Sequence, residues 1–345
     1  MTKKKSIINI LFLIVVLVIT IFYIFHDEDL GQIVKYIGNA DMRYWIAAIG
    51  CVIVFISSEA IVIFYLMRTL SQKVRFDHCM LYSFIGFFFS CITPSASGGQ
   101  PAQIYYMRKD KIPVATSTVV LIIVTIAYKL ILVAIGVTVL IAQPKEIMEY
   151  LNPVVGICYL GLGLNIICVW FMVMLVWKPG LAHKFLNQII MILCKLHILR
   201  RKEHYLEKAN HSMDQYKDVA DYLAKHKWVM VNVILITIVQ RFFLFFVGYL
   251  AYRSFGLHEA GLIQIVILQG MISVAVDMLP LPGGVGITEK LFILIFTPLI
   301  GGITLPVMVV SRGLSYYTEL VLSALMTGVA HFTLGRERHG RKRIR

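Results

Sequence analysis

The stretch TPSASGGQPAQ, residues 93–103, interrupts an apolar run and decides how the rest of the chain is interpreted. Residues 79–93 are typical of a membrane helix, but as a helix they would be only about 22 Å long, short of the ~30 Å hydrocarbon core of a bilayer. A second stretch, LPLPGGVGITE at residues 279–289, again combines prolines with a Gly-Gly pair. Because proline and glycine disfavour helix interiors, both stretches predict helices that break within the membrane.

The composition predicts an all-α polytopic membrane protein. Of the 345 residues, 59% are hydrophobic and 15% are charged, whereas soluble domains carry roughly 25% charged residues. Apolar runs long enough to cross a bilayer predict about six full transmembrane helices, at 6–25, 44–66, 114–141, 153–177, 228–252 and 304–333. The broken regions are 79–106 and 261–299. The run at 6–25 has no small-x-small site after it, so we expect an uncleaved first span rather than a signal peptide.

Basic residues are distributed unevenly, which predicts the topology. Five segments hold 25 of the 33 Lys and Arg: Lys3–Lys5, 68–78, 108–111, 178–227 and 334–345. The segments 26–43, 142–152 and 253–260 hold four. The positive-inside rule therefore predicts that both termini are cytoplasmic. The same rule accounts for the net charge of +14, so we expect no nucleic-acid partner.

The predicted topology constrains the two broken regions. Residues 68–78 and 108–111 should both be cytoplasmic, so 79–106 should enter and leave from that side as a re-entrant hairpin. Region 261–299 should begin and end outside, either as a hairpin or as two short full spans. A first half at about 26–152 and a second at about 228–333 then form an inverted repeat, which is a transporter signature.

We interpret residues 1–345 as a single integral membrane domain. The halves are joined by a cytoplasmic connector at about 178–227 and are followed by a basic tail, 334–345. Within the connector, helically spaced apolar residues predict an amphipathic helix at the membrane surface: Phe185, Ile189, Leu193 and Leu196.

Broken backbone at membrane depth usually lines a cavity, so the two motifs predict a binding site. The glycine pairs would let a ligand approach the main chain, and a helix that restarts after each pair would aim N–H groups at an anion. The alternative is that these glycines only allow close helix packing. The predicted substrate-binding residues are Ser95, Ser97, Gly98, Gly99, Gln100, Lys129, Arg241, Gly283, Gly284, Glu289, Arg312 and Tyr316.

Eight charged residues fall inside the predicted membrane segments, where they are costly unless they face a cavity or pair with each other. They are Glu59, Lys129, Arg241, Asp277, Glu289, Lys290, Arg312 and Glu319. The cations are candidates for holding a lipid phosphate, and Glu59, Asp277 and Glu319 for balancing charge or carrying a proton. Interhelical ion pairs are the alternative, and Arg312 and Glu319 share a helix face. The cysteines and histidines form no CxxC or HExxH motif, so we expect no metal site and no cofactor.

The motifs TPSASGGQPAQ, LPLPGGVGITE and SRGLSYYTE (residues 311–319) resemble the membrane region of the lysylphosphatidylglycerol synthase/multiple peptide resistance factor family. The resemblance implies a flippase-like domain in the bacterial inner membrane and a link to antimicrobial peptide resistance. Full-length members add a cytosolic domain that moves lysine from its tRNA onto phosphatidylglycerol. This chain ends twelve residues after residue 333, so we expect a stand-alone form without that catalytic domain and are uncertain that it is an enzyme.

The expected function is a lipid translocase that moves a phospholipid, an aminoacylated phospholipid or a lipid-linked glycan. Three alternatives stay open. The first is phosphatidylglycerol lysyltransferase activity, and the second is an intramembrane transferase with Glu289 or Asp277 as general base. The third is a membrane subunit that docks a separate lipid-modifying enzyme through 178–227. The headgroup, the energy source and a homo-oligomeric state are open as well.

Overall fold

The structure is a computed structural model that describes residues 30–178, 180–184, 188, 191 and 202–334. In this part of the chain, the first seven helices are α1 Leu30–Gly38, α2 Met42–Thr69, α3 Phe76–Cys91, α4 Gly99–Lys109, α5 Val114–Ala142, α6 Lys145–Leu151 and α7 Val155–Trp177. The remaining helices are α8 Lys202–Lys225, α9 Lys227–Ser254, α10 Leu262–Val276, α11 Ile287–Ile300, α12 Thr304–Arg312 and α13 Thr318–Thr333. The predicted first span 6–25, the apolar face at 185–196 and the tail after 334 lie outside the described residues.

Five described segments are long and apolar enough to cross a membrane: Met42–Thr69, Val114–Ala142, Lys145–Trp177, Lys227–Ser254 and Ile287–Thr333. They contain the spans predicted at 44–66, 114–141, 153–177, 228–252 and 304–333. The prediction of an all-α polytopic membrane protein is therefore confirmed. The last segment is not one straight helix, because α11 ends at Ile300, Gly301 after it has a φ of +74°, and a 3₁₀ turn, Gly301–Ile303, leads into α12.

The first broken region folds as a helical hairpin, called here the first hairpin, made of α3 and α4. The Thr93 hydroxyl closes its turn, since Oγ1 donates to the Phe89 carbonyl (2.6 Å) and accepts from the Gly98 N–H (2.8 Å). At the other end, His78 Nδ1 lies 2.7 Å from Asp110 Oδ2. The hairpin thus begins and ends at the same end of the molecule, as the charge pattern predicted.

The second broken region forms the second hairpin, made of α10 and α11. Three glycines in its turn have positive φ: Gly283 (+58°), Gly284 (+65°) and Gly286 (+92°). Residues with a side chain rarely adopt this left-handed conformation, so the turn requires glycine. The prolines and the positive-φ glycines of this turn end α10 and allow α11 to begin in a new direction.

The two hairpins enter the molecule from opposite ends. The α2 and α9 helices pack along each other. At one end the Asp41 N–H donates to the Ser254 carbonyl (2.8 Å), and towards the other end Asn232 Nδ2 donates to the Tyr65 hydroxyl (2.9 Å). The helices are therefore antiparallel. Because the first hairpin follows the end of α2 and the second follows the end of α9, their bases lie at opposite ends.

The turns of the two hairpins meet inside the molecule. Pro94 and Pro282 form an antiparallel backbone bridge, and Ser95 Oγ donates to the Leu279 carbonyl (3.2 Å). Two motifs that lie far apart in the sequence are thereby joined at the centre of the fold.

The described part of the connector forms α8. It packs against α5, α7 and α9, and the Tyr216 hydroxyl donates to the Leu175 carbonyl (3.2 Å). This contact puts α8 at the end of α7, on the same side as the base of the first hairpin.

Candidate functional site

A cavity of about 310 Å³ lies where the turns of the two hairpins meet. Its wall includes Glu59 of α2, Tyr128 of α5 and Arg241 of α9, each near the middle of a long helix. The polar lining side chains are Glu59, Ser90, Ser95, Gln100, Gln103, Thr125, Tyr128, Arg241, Ser273, Asp277, Thr288, Arg312, Tyr316 and Glu319. The cavity thus holds polar and charged groups at mid-depth, although apolar side chains form most of its wall.

The ammonium group of Lys129 is neutralised within the protein. Lys129 is 4% exposed and forms an ion pair with Asp277, which follows the last residue of α10. Its Nζ also lies 3.3 Å from Asn165 Oδ1 and 2.9 Å from Met278 Sδ. Asp277 lines the cavity but Lys129 does not. The pair therefore ties the second hairpin to α5 and α7.

The guanidinium of Arg312 is also paired. Its Nε donates to Glu289 Oε1 (2.8 Å), and its Nη2 donates to the Gly283 carbonyl (3.1 Å). The other oxygen of Glu289 accepts the Gly286 N–H (2.7 Å) at the start of α11. The predicted alternative of an ion pair between Arg312 and Glu319 is wrong, because the second hairpin brings Glu289 to the guanidinium first.

Arg241 differs from the other cavity cations. Among the described residues it has no ion pair, and its buried Nε has no hydrogen-bond partner. Its guanidinium carbon lies 4.5 Å from the Tyr128 ring centroid and 5.3 Å from the Phe55 ring centroid. The two rings hold the cation by cation–π contact and leave hydrogen-bond donors free for an anion.

Two carboxyl groups face the same space as Arg241. Glu59 Oε1 accepts from Gln103 Nε2 (2.8 Å), and the Cys91 thiol lies 3.5 Å from Glu319 Oε1. Both carboxyl groups are close enough to Arg241 to interact with it electrostatically. Their hydrogen bonds come from neutral groups, so neither carboxylate has a dedicated cation.

The predicted glycine and serine residues divide into two groups. Ser95, Gly283 and Gly284 line the cavity, as do Gln100 and Tyr316. Ser97, Gly98 and Gly99 do not appear in its wall.

Gly98 and Gly99 instead allow α4 to lie close to α3. A Cβ at Gly99 would lie 2.7 Å from the Gly86 carbonyl oxygen and would also clash with the Ser90 hydroxyl. This geometry supports the alternative of close helix packing for the first glycine pair.

The helix starts are less available to a ligand than the sequence suggested. At the second Gly-Gly pair, Glu289 occupies the N-terminus of α11 through the Gly286 N–H. At the first pair, the Gly98 N–H is bonded to Thr93. Lys290, also among the intramembrane charges, is exposed on α11. Positive charge in the cavity therefore comes from side chains rather than from helix ends.

Sequence reasoning missed six polar residues of the cavity wall: Ser90, Gln103, Thr125, Tyr128, Ser273 and Thr288. Gln103 closes the TPSASGGQPAQ motif one helical turn after Gln100, whose amide donates to the Thr125 hydroxyl. The i, i+3 spacing of two amides in an apolar helix was the available signal. No sequence pattern pointed to Tyr128, because a tyrosine in an apolar span is usually part of the hydrophobic core.

Chemically, the arrangement offers an unpaired positive charge that an anion would complement. One unpaired guanidinium lies between two aromatic rings, and hydroxyl and amide groups surround it. No cluster of potential metal ligands occurs in the part of the chain that the structure describes. The fold thus defines a polytopic membrane protein with a cavity between two opposed hairpins.

The chain belongs to the family described as the lysylphosphatidylglycerol synthase transmembrane region, whose model matches residues 7–323. This membership confirms the family suggested by the three motifs and links the protein to membrane lipids. The comparison with curated proteins found no match.

Proposed function

We propose that this protein is a lipid translocase of the bacterial inner membrane. A lipid with a phosphate-containing headgroup enters from the bilayer, the headgroup passes through the cavity, and the acyl chains stay in the hydrocarbon. The single observation that supports this proposal best is Arg241, an unpaired cation in a polar cavity at mid-depth.

The geometry around Arg241 favours a phosphate. A guanidinium presents several N–H donors in a fixed fork that matches phosphate oxygens. Tyr128 and Phe55 fix the plane of this fork, so little side-chain entropy is lost on binding. The Ser95 and Gln100 side-chain oxygens can accept hydrogen bonds from the rest of the headgroup, since the Ser95 hydroxyl and the Gln100 amide nitrogen already donate to Leu279 and Thr125.

The two hairpins supply the moving parts of the proposed mechanism. Their turns meet at Pro94 and Pro282 beside the cavity, whose wall includes Ser95 and Gly283 of the two turns. Withdrawal of the first hairpin would open one side, and withdrawal of the second would open the other. Such alternating access around a central site is typical of transporters with inverted repeats.

The test is lipid movement in proteoliposomes. Phosphatidylcholine vesicles would carry a trace of phosphatidylglycerol with a fluorescent acyl chain, and dithionite would quench the label in the outer leaflet. We expect the wild-type protein to expose inner-leaflet label. Removing a charge-assisted hydrogen bond typically costs about 1.5–3 kcal/mol, so Arg241→Gln should slow transport roughly 10- to 100-fold.

The control variant is Arg68→Gln. Arg68 is an exposed arginine on α2, which is a long helix like α9, and it lies outside the cavity. This variant should transport like the wild type. Equal transport by Arg241→Gln and wild type would contradict the assignment of Arg241, and no transport by the wild type would contradict translocation. A new lipid species made by the purified protein would instead favour an intramembrane transferase.

A further inference from the structure

We infer that each lipid phosphate enters the cavity together with one proton, which binds to Glu59 or Glu319. The protein would then couple lipid movement to a proton gradient. The inference rests on the proposed translocase function and supplies its energy source.

The first step is to separate the cavity charges that are already balanced. Lys129 pairs with Asp277, and Arg312 pairs with Glu289. Each pair is held between elements and carries no net charge. Asp277, a sequence-based candidate for proton transfer, is therefore committed to Lys129.

The remaining charged groups of the cavity wall are Glu59, Arg241 and Glu319. They lie on α2, α9 and α13, so three separate helices bring them together. Two carboxyl groups thus share one guanidinium. No second unpaired cation lines this cavity among the described residues.

The groups that face the two carboxyls come from every surrounding element. Titratable or charged groups that line the cavity with Glu59 and Glu319 are Cys91 of α3, Tyr128 of α5, Arg241 of α9, Asp277 at the end of α10, Arg312 of α12 and Tyr316 of the π-helical turn Gly313–Tyr317. Asp277 is paired with Lys129. The thiol and the two phenols are neutral near pH 7, and Arg312 has its own carboxylate. Arg241 is therefore the cation that stabilises an anion here.

A buried cavity penalises unbalanced charge, so one guanidinium supports about one anion. In the empty cavity, that anion is a carboxylate. When a phosphodiester binds Arg241, it supplies that one anion, and the carboxylate is no longer balanced by a cation. It becomes neutral by taking a proton from water, so one carboxylic acid forms for each phosphate bound.

This exchange has a consequence for transport. The phosphate and its proton together carry no net charge, so the lipid crosses without working against the membrane potential. When the phosphate leaves on the other side, a carboxylate returns to Arg241 and releases the proton there. No covalent bond of the lipid changes.

The test measures proton uptake on binding of dihexanoylphosphatidylglycerol, a short-chain lipid, to the purified full-length protein in detergent. Calorimetric titrations in two buffers of different ionisation enthalpy give the number of protons taken up. We expect about one proton per lipid. By linkage, the affinity should then fall as pH rises from 6 to 8, by up to about tenfold per pH unit.

The double variant Glu59→Gln/Glu319→Gln keeps the shape of both side chains but cannot take up a proton. It should bind the lipid at least as tightly as the wild type, with no proton uptake and no pH dependence. Glu146→Gln, which alters an exposed carboxylate on α6, should behave like the wild type.

Each outcome decides the inference. Wild-type binding without proton uptake would overturn the coupling and leave the lipid site intact. Proton uptake that persists in the double variant would overturn the assignment to Glu59 and Glu319. No binding by the wild type would overturn both the lipid site and the coupling. The wild-type measurement decides the coupling even where the double variant does not fold.

Discussion

The three arginine and lysine side chains at the centre of this protein have different surroundings. Lys129 and Arg312 each meet one carboxylate, whereas Arg241 meets two aromatic rings and no ion partner among the described residues. A buried ion pair is sensitive to loss of one partner, because the other charge stays behind uncompensated. An unpaired cation is better suited to a ligand. We therefore expect substitution of Arg312 to lower the stability of the protein, and substitution of Arg241 to slow lipid transport.

At the residue scale, Arg312→Gln should destabilise the protein. It leaves Glu289 buried without its cation, which typically costs about 3–5 kcal/mol, and the unfolding temperature in detergent should fall. The double variant Arg312→Gln/Glu289→Gln should recover much of this loss. Glutamine also fits position 289, since its side chain still accepts the Gly286 N–H at the start of α11.

The matched control is Arg312→Gln/Glu319→Gln, which removes a carboxylate that does not contact Arg312. It should remain as unstable as the single variant. Rescue by the change at Glu319 rather than at Glu289 would contradict the ion pair that the structure describes.

At the scale of elements, the two Gly-Gly pairs break their helices for different reasons. Gly283 and Gly284 have positive φ, so the backbone itself requires glycine. Gly99 begins a regular helix, and what it needs is the absence of a side chain beside Gly86. The two Gly-Gly pairs therefore differ in role: the second allows a left-handed backbone, and the first allows close helix packing.

Gly99→Ala should lower the unfolding temperature, because even one methyl group would push α4 away from α3. Overpacking of this kind costs about 1–3 kcal/mol. The control is Gly163→Ala on α7, where an added Cβ meets nothing within 4 Å. It should not lower stability. Equal unfolding temperatures for the two variants would mean that α3 and α4 are not closely packed at Gly99.

At the scale of the whole molecule, the two hairpins point towards each other from opposite ends. The predicted cytoplasmic segments 68–78 and 108–111 meet at one end through His78 and Asp110. The opposite end holds Asp41 and Ser254, which are joined by a backbone hydrogen bond. The structure therefore has one basic end, as the positive-inside rule requires.

This arrangement predicts which surfaces face the cytoplasm. In a background without the six native cysteines, Arg108→Cys should resist an impermeant thiol reagent in intact cells, and His258→Cys should react. Both positions are exposed in the structure, so a difference in labelling would report sidedness. Detergent-solubilised protein, in which both should react, is the control. Labelling of Arg108→Cys in intact cells would rule out a first hairpin based in the cytoplasm.

Much of the architecture was predictable because its determinants are local. A run of about 20 apolar residues is long enough to span a bilayer, and the proline and glycine residues at 93–103 and 279–289 disfavour one continuous helix. The parity of crossings then followed from the distribution of basic residues. The same local reasoning identified Arg241, Glu59 and Glu319 as unusual, since charges in apolar segments are rare.

The sequence alone thus determined the five described spans, the two breaks and seven of the eight charges predicted within the membrane segments, since Lys290 is exposed. Only the tertiary structure decided how those charges pair. Lys129 meets Asp277 of the other half, and Arg312 meets Glu289 rather than its helix neighbour Glu319. Pairing depends on which helix faces meet and at what depth, and the contact between the two hairpins fixes both. That contact leaves Arg241 unpaired, so the candidate site exists only in the folded molecule.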